Sequence, residues 1–240
     1  MKILAINGSP KGKKSTTYLM VEEFLKGAKE EKATIEHILL SEVKIHHCIG
    51  CFTCWTKTPG ICVFDDDMKK ILKKEKDCDI LIFATPLYVD NITGILKNYM
   101  DRSIPLESPF IEKDSGGEAI HILKRKNPKL VVISNSGLPE QSQFIVLKTL
   151  FKRIARNMST EVIAEIYQDE GPLLTSADIK LEKIIKHYKL LLQKAGKEVV
   201  KNLSISKKTQ KELEKPLIPY DSYIKTANIY WKKLLHTKSK

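Results

Sequence analysis

Short, nearly uninterrupted apolar runs recur along this chain, each followed by a stretch with helical spacing. Lys2–Asn7 (KILAIN), Thr34–Leu40 (TIEHILL), Asp79–Ala84 (DILIFA), Lys129–Ser134 (KLVVIS) and Glu161–Ile166 (EVIAEI) read as strands. DILIFA has the continuous form taken by parallel strands that are covered on both faces. Between them the apolar spacing predicts helices over Thr16–Lys29, Asp66–Lys74, Thr93–Arg102 and Gln143–Arg156. Five strands separated by helices predict an α/β domain with a doubly wound, five-stranded parallel sheet, the arrangement that right-handed crossovers favour.

Charge divides the chain. Of 240 residues, 41 are basic and 29 acidic, a net charge of +12. Residues 177–240 hold 16 lysines and 6 acids, so the first 176 residues carry only +2. The division predicts a domain over 1–176 and a C-terminal helical, Lys-rich extension over 177–240. In Ala177–Val200 apolar residues recur at Leu181, Ile184, Ile185, Tyr188, Leu191, Leu192, Ala195 and Val199, with Thr175–Asp178 as a capping box. A shorter helix is expected near Tyr223–Leu235. The lysines alternate with apolar residues as on a solvated helix face and form no recognition motif, so nucleic acid is not the expected partner. Apolar residues at 42%, with only 11 Gly and 10 Pro, exclude a disordered or collagen-like chain. No run approaches the ~18 apolar residues needed to span a bilayer, and the N-terminal apolar run is too short for a signal peptide. A cytoplasmic protein with no membrane partner is expected.

The first strand runs into Gly8-Ser9-Pro10-Lys11-Gly12-Lys13-Lys14-Ser15-Thr16-Thr17 and then a helix. Backbone N–H groups, hydroxyls and the positive helix end make such a turn a phosphate site. The two glycines are four apart and Lys14 precedes Ser15, which breaks the Gly-x-x-x-x-Gly-Lys-Ser/Thr pattern of nucleotide hydrolysis. The Gly-x-Gly-x-x-Gly dinucleotide pattern is absent as well. Hydroxyls at Ser9, Ser15, Thr16 and Thr17 suit a terminal monophosphate.

Strand three ends in Thr85-Pro86-Leu87-Tyr88-Val89-Asp90-Asn91, and strand four in Asn135-Ser136-Gly137-Leu138-Pro139-Glu140. Both turns fall at the carboxyl edge of the sheet, where open α/β sheets bind ligands. As a set, Asn7–Lys11, Ser15–Thr17, Pro86–Tyr88, Leu96-Lys97 and Asp101-Arg102 resemble the NADPH-dependent FMN reductase family. The loop between strands two and three, with Cys48, Cys51, Cys54 and Cys62, makes the chain most similar to that family's iron–sulfur flavoprotein branch. The resemblance covers about residues 1–174. It implies a flavodoxin-like fold of strand order 2-1-3-4-5 and one non-covalent FMN. It implies that Ser9, Lys11, Ser15, Thr16 and Thr17 bind the FMN phosphate. Pro86, Leu87, Tyr88 and Asn91 would line the isoalloxazine, with Asn135, Ser136 and Gly137 closing the far side. Thr16 stands where relatives often carry Asn, and Lys11 where many carry Arg, which forgoes a bidentate grip on phosphate.

Four of the five cysteines fall in one loop: Cys48, Cys51, Cys54 and Cys62, spaced C-x2-C-x2-C-x7-C. The compact turn offers three thiolates at once, as in ferredoxin-type runs, and suits a [4Fe–4S] cluster better than zinc. The same loop could equally pack beside a flavin without metal. Asp65-Asp66-Asp67 after it is expected to cap the next helix, and Cys78 to be a small core residue. The resemblance implies an NAD(P)H-dependent FMN oxidoreductase that delivers electrons to a quinone, flavin or nitro compound. The alternative is an electron carrier whose cluster serves a protein partner. The resemblance also implies a homodimer or homotetramer, and Pro105–Pro128 is read as a lid.

Overall fold

The computed structural model describes residues 1–122 and 126–237. A five-stranded, wholly parallel sheet forms its centre: β1 (Lys2–Asn7), β2 (Thr34–Leu39), β3 (Ile80–Pro86), then, after a small antiparallel hairpin of β4 (Ile111–Lys113) and β5 (Ala119–His121), β6 (Lys129–Asn135) and β7 (Val162–Gln168). The strand order is β2-β1-β3-β6-β7. With the hairpin set aside this is the flavodoxin-like 2-1-3-4-5 order.

Alternation along each strand builds two apolar layers. Ile3, Ala5, Ile80, Ile82, Val131 and Ile133 face α1 (Thr16–Glu30) and α5 (Glu182–Asn202). Leu4, Ile6, Leu81, Phe83, Leu130 and Val132 face α2 (Met68–Lys76), α3 (Gly94–Asp101) and α4 (Ile145–Asn157). The near-continuous apolar strands are therefore covered on both sides, as DILIFA requires.

Several expectations shift locally. The Thr175–Asp178 capping box does not start α5. Asp178 instead accepts from the Lys180 N–H and caps a short 3-10 turn, which delays the helix to Glu182. Although α5 opens the Lys-rich stretch, its Tyr188, Leu192, Ala195 and Val199 belong to the same core as α1. Beyond it lie α6 (Lys207–Leu213) and α7 (Tyr220–Thr237). The helix after the aspartate run begins at Met68; its N-cap Asp67 makes no side-chain capping bond, while Asp66, one residue earlier, accepts the Met68 N–H at 3.1 Å. Cys78 is only partly buried and lies against the α2/α3 layer. Pro105–Pro128, the segment read as a lid, takes in the end of a 3-10 turn (Ile104–Leu106) and the β4–β5 hairpin, and its positions 123–125 lie outside the described residues.

Candidate functional site

The turn after β1 is zipped to its neighbours before any ligand is considered. Gly8 N–H donates to Ala84 O on β3 at 2.7 Å, and the Thr93 hydroxyl donates to Gly8 O at 2.6 Å. Thr93 also caps α3 through Leu96 N–H. A Cβ on Gly8 would stand 2.7 Å from Leu96 Cβ, so only glycine allows α3 this close. Thr93 gave no signal in the sequence beyond standing just before a helix.

Ser9 is buried, its N–H donating to Asn7 Oδ1 at 2.9 Å, and Lys11 is exposed on the rim. Ser15 is the N-cap of α1: its Oγ accepts from Tyr18 N–H at 3.0 Å and donates to Gly12 O at 2.7 Å. The hydroxyls of Thr16 and Thr17 are engaged behind the turn. Thr16 donates to Gly171 O at 3.1 Å, and Thr17 accepts from Asn135 Nδ2 at 2.8 Å. As first-turn residues, Thr16 and Thr17 have backbone N–H groups with no intrahelical acceptor. Those N–H groups, Ser9 and the rim cations Lys11, Lys13 and Lys14 form a donor set suited to a dianion.

The turn after β3 is a two-residue reversal, with Tyr88 and Asn91 exchanging backbone hydrogen bonds at 2.9 and 3.1 Å. Val89 and Asp90 in its middle both take left-handed backbones, φ 48° and 58°. For a β-branched valine that conformation is strained. Pro86 is buried, Leu87 half-buried, and Tyr88 and Asn91 exposed. Leu87 N–H donates to Asn135 O at 2.8 Å, which ties this turn to the one after β6. There Asn135 and Ser136 are buried, and Ser136 Oγ accepts Leu138 N–H at 3.1 Å and donates to Leu138 O at 2.9 Å. Gly137 is exposed, and a Cβ on it would meet nothing within 4 Å. The three turns thus share the carboxyl edge of the sheet. The extension reaches them too: Tyr223 of α7 donates to Gly137 O at 2.7 Å, and Tyr220 to Glu140 at 2.8 Å.

The cysteine loop forms a second centre beside α3. Cys48, Cys51, Cys54 and Cys62 all line one cavity of about 50 Å³, walled by Ile49, Phe52, Val63, Phe64, Ile104 and Pro105. Arg102, fully buried, lines it as well and grips Asp66 at 2.8 and 3.1 Å. Burial pushes the Cys54 thiol up, and the neighbouring Cys62, Cys51 and Cys48 add to the effect. Hydrogen bonds from the Thr53 side chain and backbone hold the Cys51 thiol below its usual range. The Trp55 indole, donating to Ile104 O at 2.9 Å, pins the loop to the end of α3. Among the described residues no three His, Cys, Asp or Glu side chains are gathered closely enough to hold a metal ion. The donors are therefore those a cluster requires, facing one apolar cavity, but not drawn in to bonding distance of a single ion. His46 stacks on Phe64 with ring centroids 4.9 Å apart.

The sequence profile described as NADPH-dependent FMN reductase matches residues 1–113. A Bacillus subtilis protein named as an NAD(P)H-dependent FMN-containing oxidoreductase is 30% identical over 60% of this chain and 75% of its own length. The chain belongs to the NADPH-dependent FMN reductase family. An iron–sulfur flavoprotein of Methanocaldococcus jannaschii is 38% identical over 53% of this chain and 64% of its own length. One from Archaeoglobus fulgidus is 40% identical over 43% and 49%. The chain thus spans about half to two thirds of the length of these two iron–sulfur flavoproteins. The fold is shared with a Bacillus anthracis FMN-dependent NADH-azoreductase solved with FMN, at TM-score 0.58 and 20% identity over 83% of this chain and 99% of that one. Among the described residues no helix of this family member is long and apolar enough to cross a membrane.

Proposed function

We propose that this chain is an FMN-dependent oxidoreductase that takes electrons from NAD(P)H and passes them to a small acceptor such as a quinone, flavin or nitro compound. The observation that carries this reading is the convergence of three polar turns, after β1, β3 and β6, on one sheet edge whose first turn has phosphate donors. Bound FMN supplies the chemistry, a ring that accepts hydride and releases electrons singly or in pairs. Ser9, Lys11 and the N–H groups of Thr16 and Thr17 hold its phosphate, while Ser15 keeps the helix end in place. The hydroxyls of Thr16 and Thr17 serve the scaffold through Gly171 and Asn135. Pro86, Leu87, Tyr88 and Asn91 line the ring from the β3 side, and Asn135, Ser136 and Gly137 close the other. No side chain is assigned an acid–base role.

A second reading has its own observation, the four thiols facing one cavity. In it Cys48, Cys51, Cys54 and Cys62 hold a [4Fe–4S] cluster, and the protein serves a partner as an electron carrier. A reducing cytoplasm suits the exposed Cys48 and Cys51 thiols. A homodimer or homotetramer is part of either reading, since Val89 is 97% exposed at the edge where a flavin would lie. An anaerobic absorption spectrum with iron and sulfide analysis tests both. Flavin without iron supports the first. Stoichiometric iron and sulfide with slow NAD(P)H turnover supports the second. A protein that neither carries flavin nor takes up added FMN overturns both.

A further inference from the structure

A histidine on β2 contacts the end of β1, just before the Gly8–Thr17 turn. The His37 side chain is 10% exposed. Its Nδ1 lies 2.6 Å from Glu22 Oε1 on α1, and its Nε2 lies 3.3 Å from Asn7 Nδ2 at the end of β1. Its ring stacks on Tyr18, centroids 5.2 Å apart and planes 13° from parallel. Asn7 is fully buried, and its Oδ1 accepts the Ser9 N–H at 2.9 Å.

The direction of every bond in this chain can be worked out. A backbone N–H only donates, so the Asn7 oxygen faces Ser9 and its NH2 faces His37. An amide nitrogen cannot accept, so His37 Nε2 is the acceptor and Nδ1 carries the hydrogen, donated to Glu22. Ser9 N–H, Asn7, His37 and Glu22 form one continuous line from the phosphate turn to α1. A proton added at Nε2 would set a donor against the Asn7 NH2. Asn7 could answer only by turning its amide over, and that would set a donor against Ser9 N–H. The groups placed against the ring are Glu22 and Tyr18 from α1 and Asn7 from β1. Burial holds His37 below the ordinary histidine range, against the opposing effect of Glu22, in keeping with the neutral tautomer that the bond directions require.

We propose that His37 is a positioning residue for the FMN phosphate: with Glu22 it fixes the Asn7 amide, and through it the Ser9 end of the turn. The proposal rests on reading Gly8–Thr17 as the phosphate cradle. Riboflavin, which has the ring but no phosphate, separates the two.

The test is a set of FMN and riboflavin titrations of the 240-residue chain, followed by flavin fluorescence between pH 4.5 and 8. At pH 7.5 His37→Leu, which removes the acceptor, is expected to weaken FMN binding about tenfold, as loss of one buried hydrogen bond does. Riboflavin binding should be unchanged. His37→Gln, which keeps an acceptor but does not titrate, should bind FMN within about twofold of wild type. As pH falls from 7.5 to 4.5, wild-type affinity for FMN should fall more steeply than that of His37→Gln, since protonation of the phosphate itself is common to both. Glu22→Gln, at a position on the helix surface, should move the additional wild-type step to lower pH. Equal loss of FMN and riboflavin in His37→Leu would show a merely structural residue and overturn the proposal. So would a His37→Gln profile that matches wild type. A wild-type protein that binds riboflavin as tightly as FMN would overturn the cradle reading itself.

Discussion

Gly27 of α1 and Gly196 of α5 mark the place where two helix backbones touch. A Cβ built on Gly27 would lie 1.8 Å from Gln193 O, and one on Gly196 would lie 2.0 Å from Phe24 O. Neither obstacle is a side chain that can swing aside. Gly27→Ala or Gly196→Ala must push the helices apart and open the layer of Phe24, Ala28, Leu192 and Val199 that they share. A loss of about 2–5 kcal/mol is expected, read as a lower urea midpoint, against a few tenths for the exposed helix substitution Lys29→Ala.

The strain at Val89 can be relieved. Asn and Gly take left-handed backbones far more readily than Val and Asp, and Asn-Gly is the preferred pair for a tight reversal. Val89→Asn with Asp90→Gly is therefore expected to raise stability by about 1 kcal/mol, measured as a higher melting temperature. Val89 side-chain packing does not enter the balance, as the residue is 97% exposed. A lower melting temperature would show that the native pair is held by something other than its backbone.

Buried Arg102 and Asp66 join α3 to the cysteine loop. Their side chains are 1% and 3% exposed, and the pair is bidentate. Asp66→Asn would leave the guanidinium without its counter-charge, at a cost of about 3–5 kcal/mol. Arg102 also donates to His46 O at 2.6 Å, so the backbone before Cys48 should loosen with it. Faster hydrogen exchange at 46–54 than in the sheet is the expected signature, and an unchanged pattern would count against this coupling.

Acid should release α6 before the sheet. Burial opposes ionisation of Glu198, yet hydrogen bonds from Ser206 N–H and from the Thr209 and Ser206 hydroxyls, with the charge of Lys194, hold its carboxyl below the ordinary value. A lowered carboxyl contributes stability that is fully present above the unfolded value near 4.5 and lost as pH falls through the folded one. Glu198→Gln keeps an acceptor but no charge. Its melting temperature should lie below wild type at pH 7, with the gap closing toward pH 3. A gap that is constant across this range would show the charge to be irrelevant.

Local signals in the sequence were enough for the sheet. Lys2–Asn7 forms a strand over the residues expected, because an apolar run that breaks into Gly-Ser-Pro has both its interior and its end written locally. The turns were legible for the same reason, as each carries its own Gly, Ser or Asn. What sequence spacing could not supply was which hydroxyls the scaffold also engages. Thr16 donates to Gly171 O and Thr17 accepts from Asn135, partners that lie 155 and 118 residues away in the sequence. His37 was silent because its partner Asn7 lies 30 residues back, and Tyr223 because Gly137 lies 86 residues away.

The contact of Tyr223 with Gly137 depends on a carboxylate at the end of β7. Glu170 is fully buried, and its Oε2 accepts the backbone N–H groups of Leu217 at 2.5 Å and Ile218 at 3.1 Å, just before α7 begins. Burial nonetheless pushes its carboxyl up, with these two bonds opposing. Glu170→Gln keeps an acceptor and removes the cost of a buried charge, so it should hold α7 in place. Glu170→Ala leaves two backbone donors unpaired and should free the segment from Leu217 onward. Trypsin should then cut Glu170→Ala at Lys225 at least about tenfold faster than wild type or Glu170→Gln, because local opening sets the rate of cleavage. Since α7 bonds the turn after β6 through Tyr223, flavin affinity should weaken in the same variant and in Tyr223→Phe. Fast cleavage with unchanged flavin affinity would mean that the extension rests on the site without shaping it.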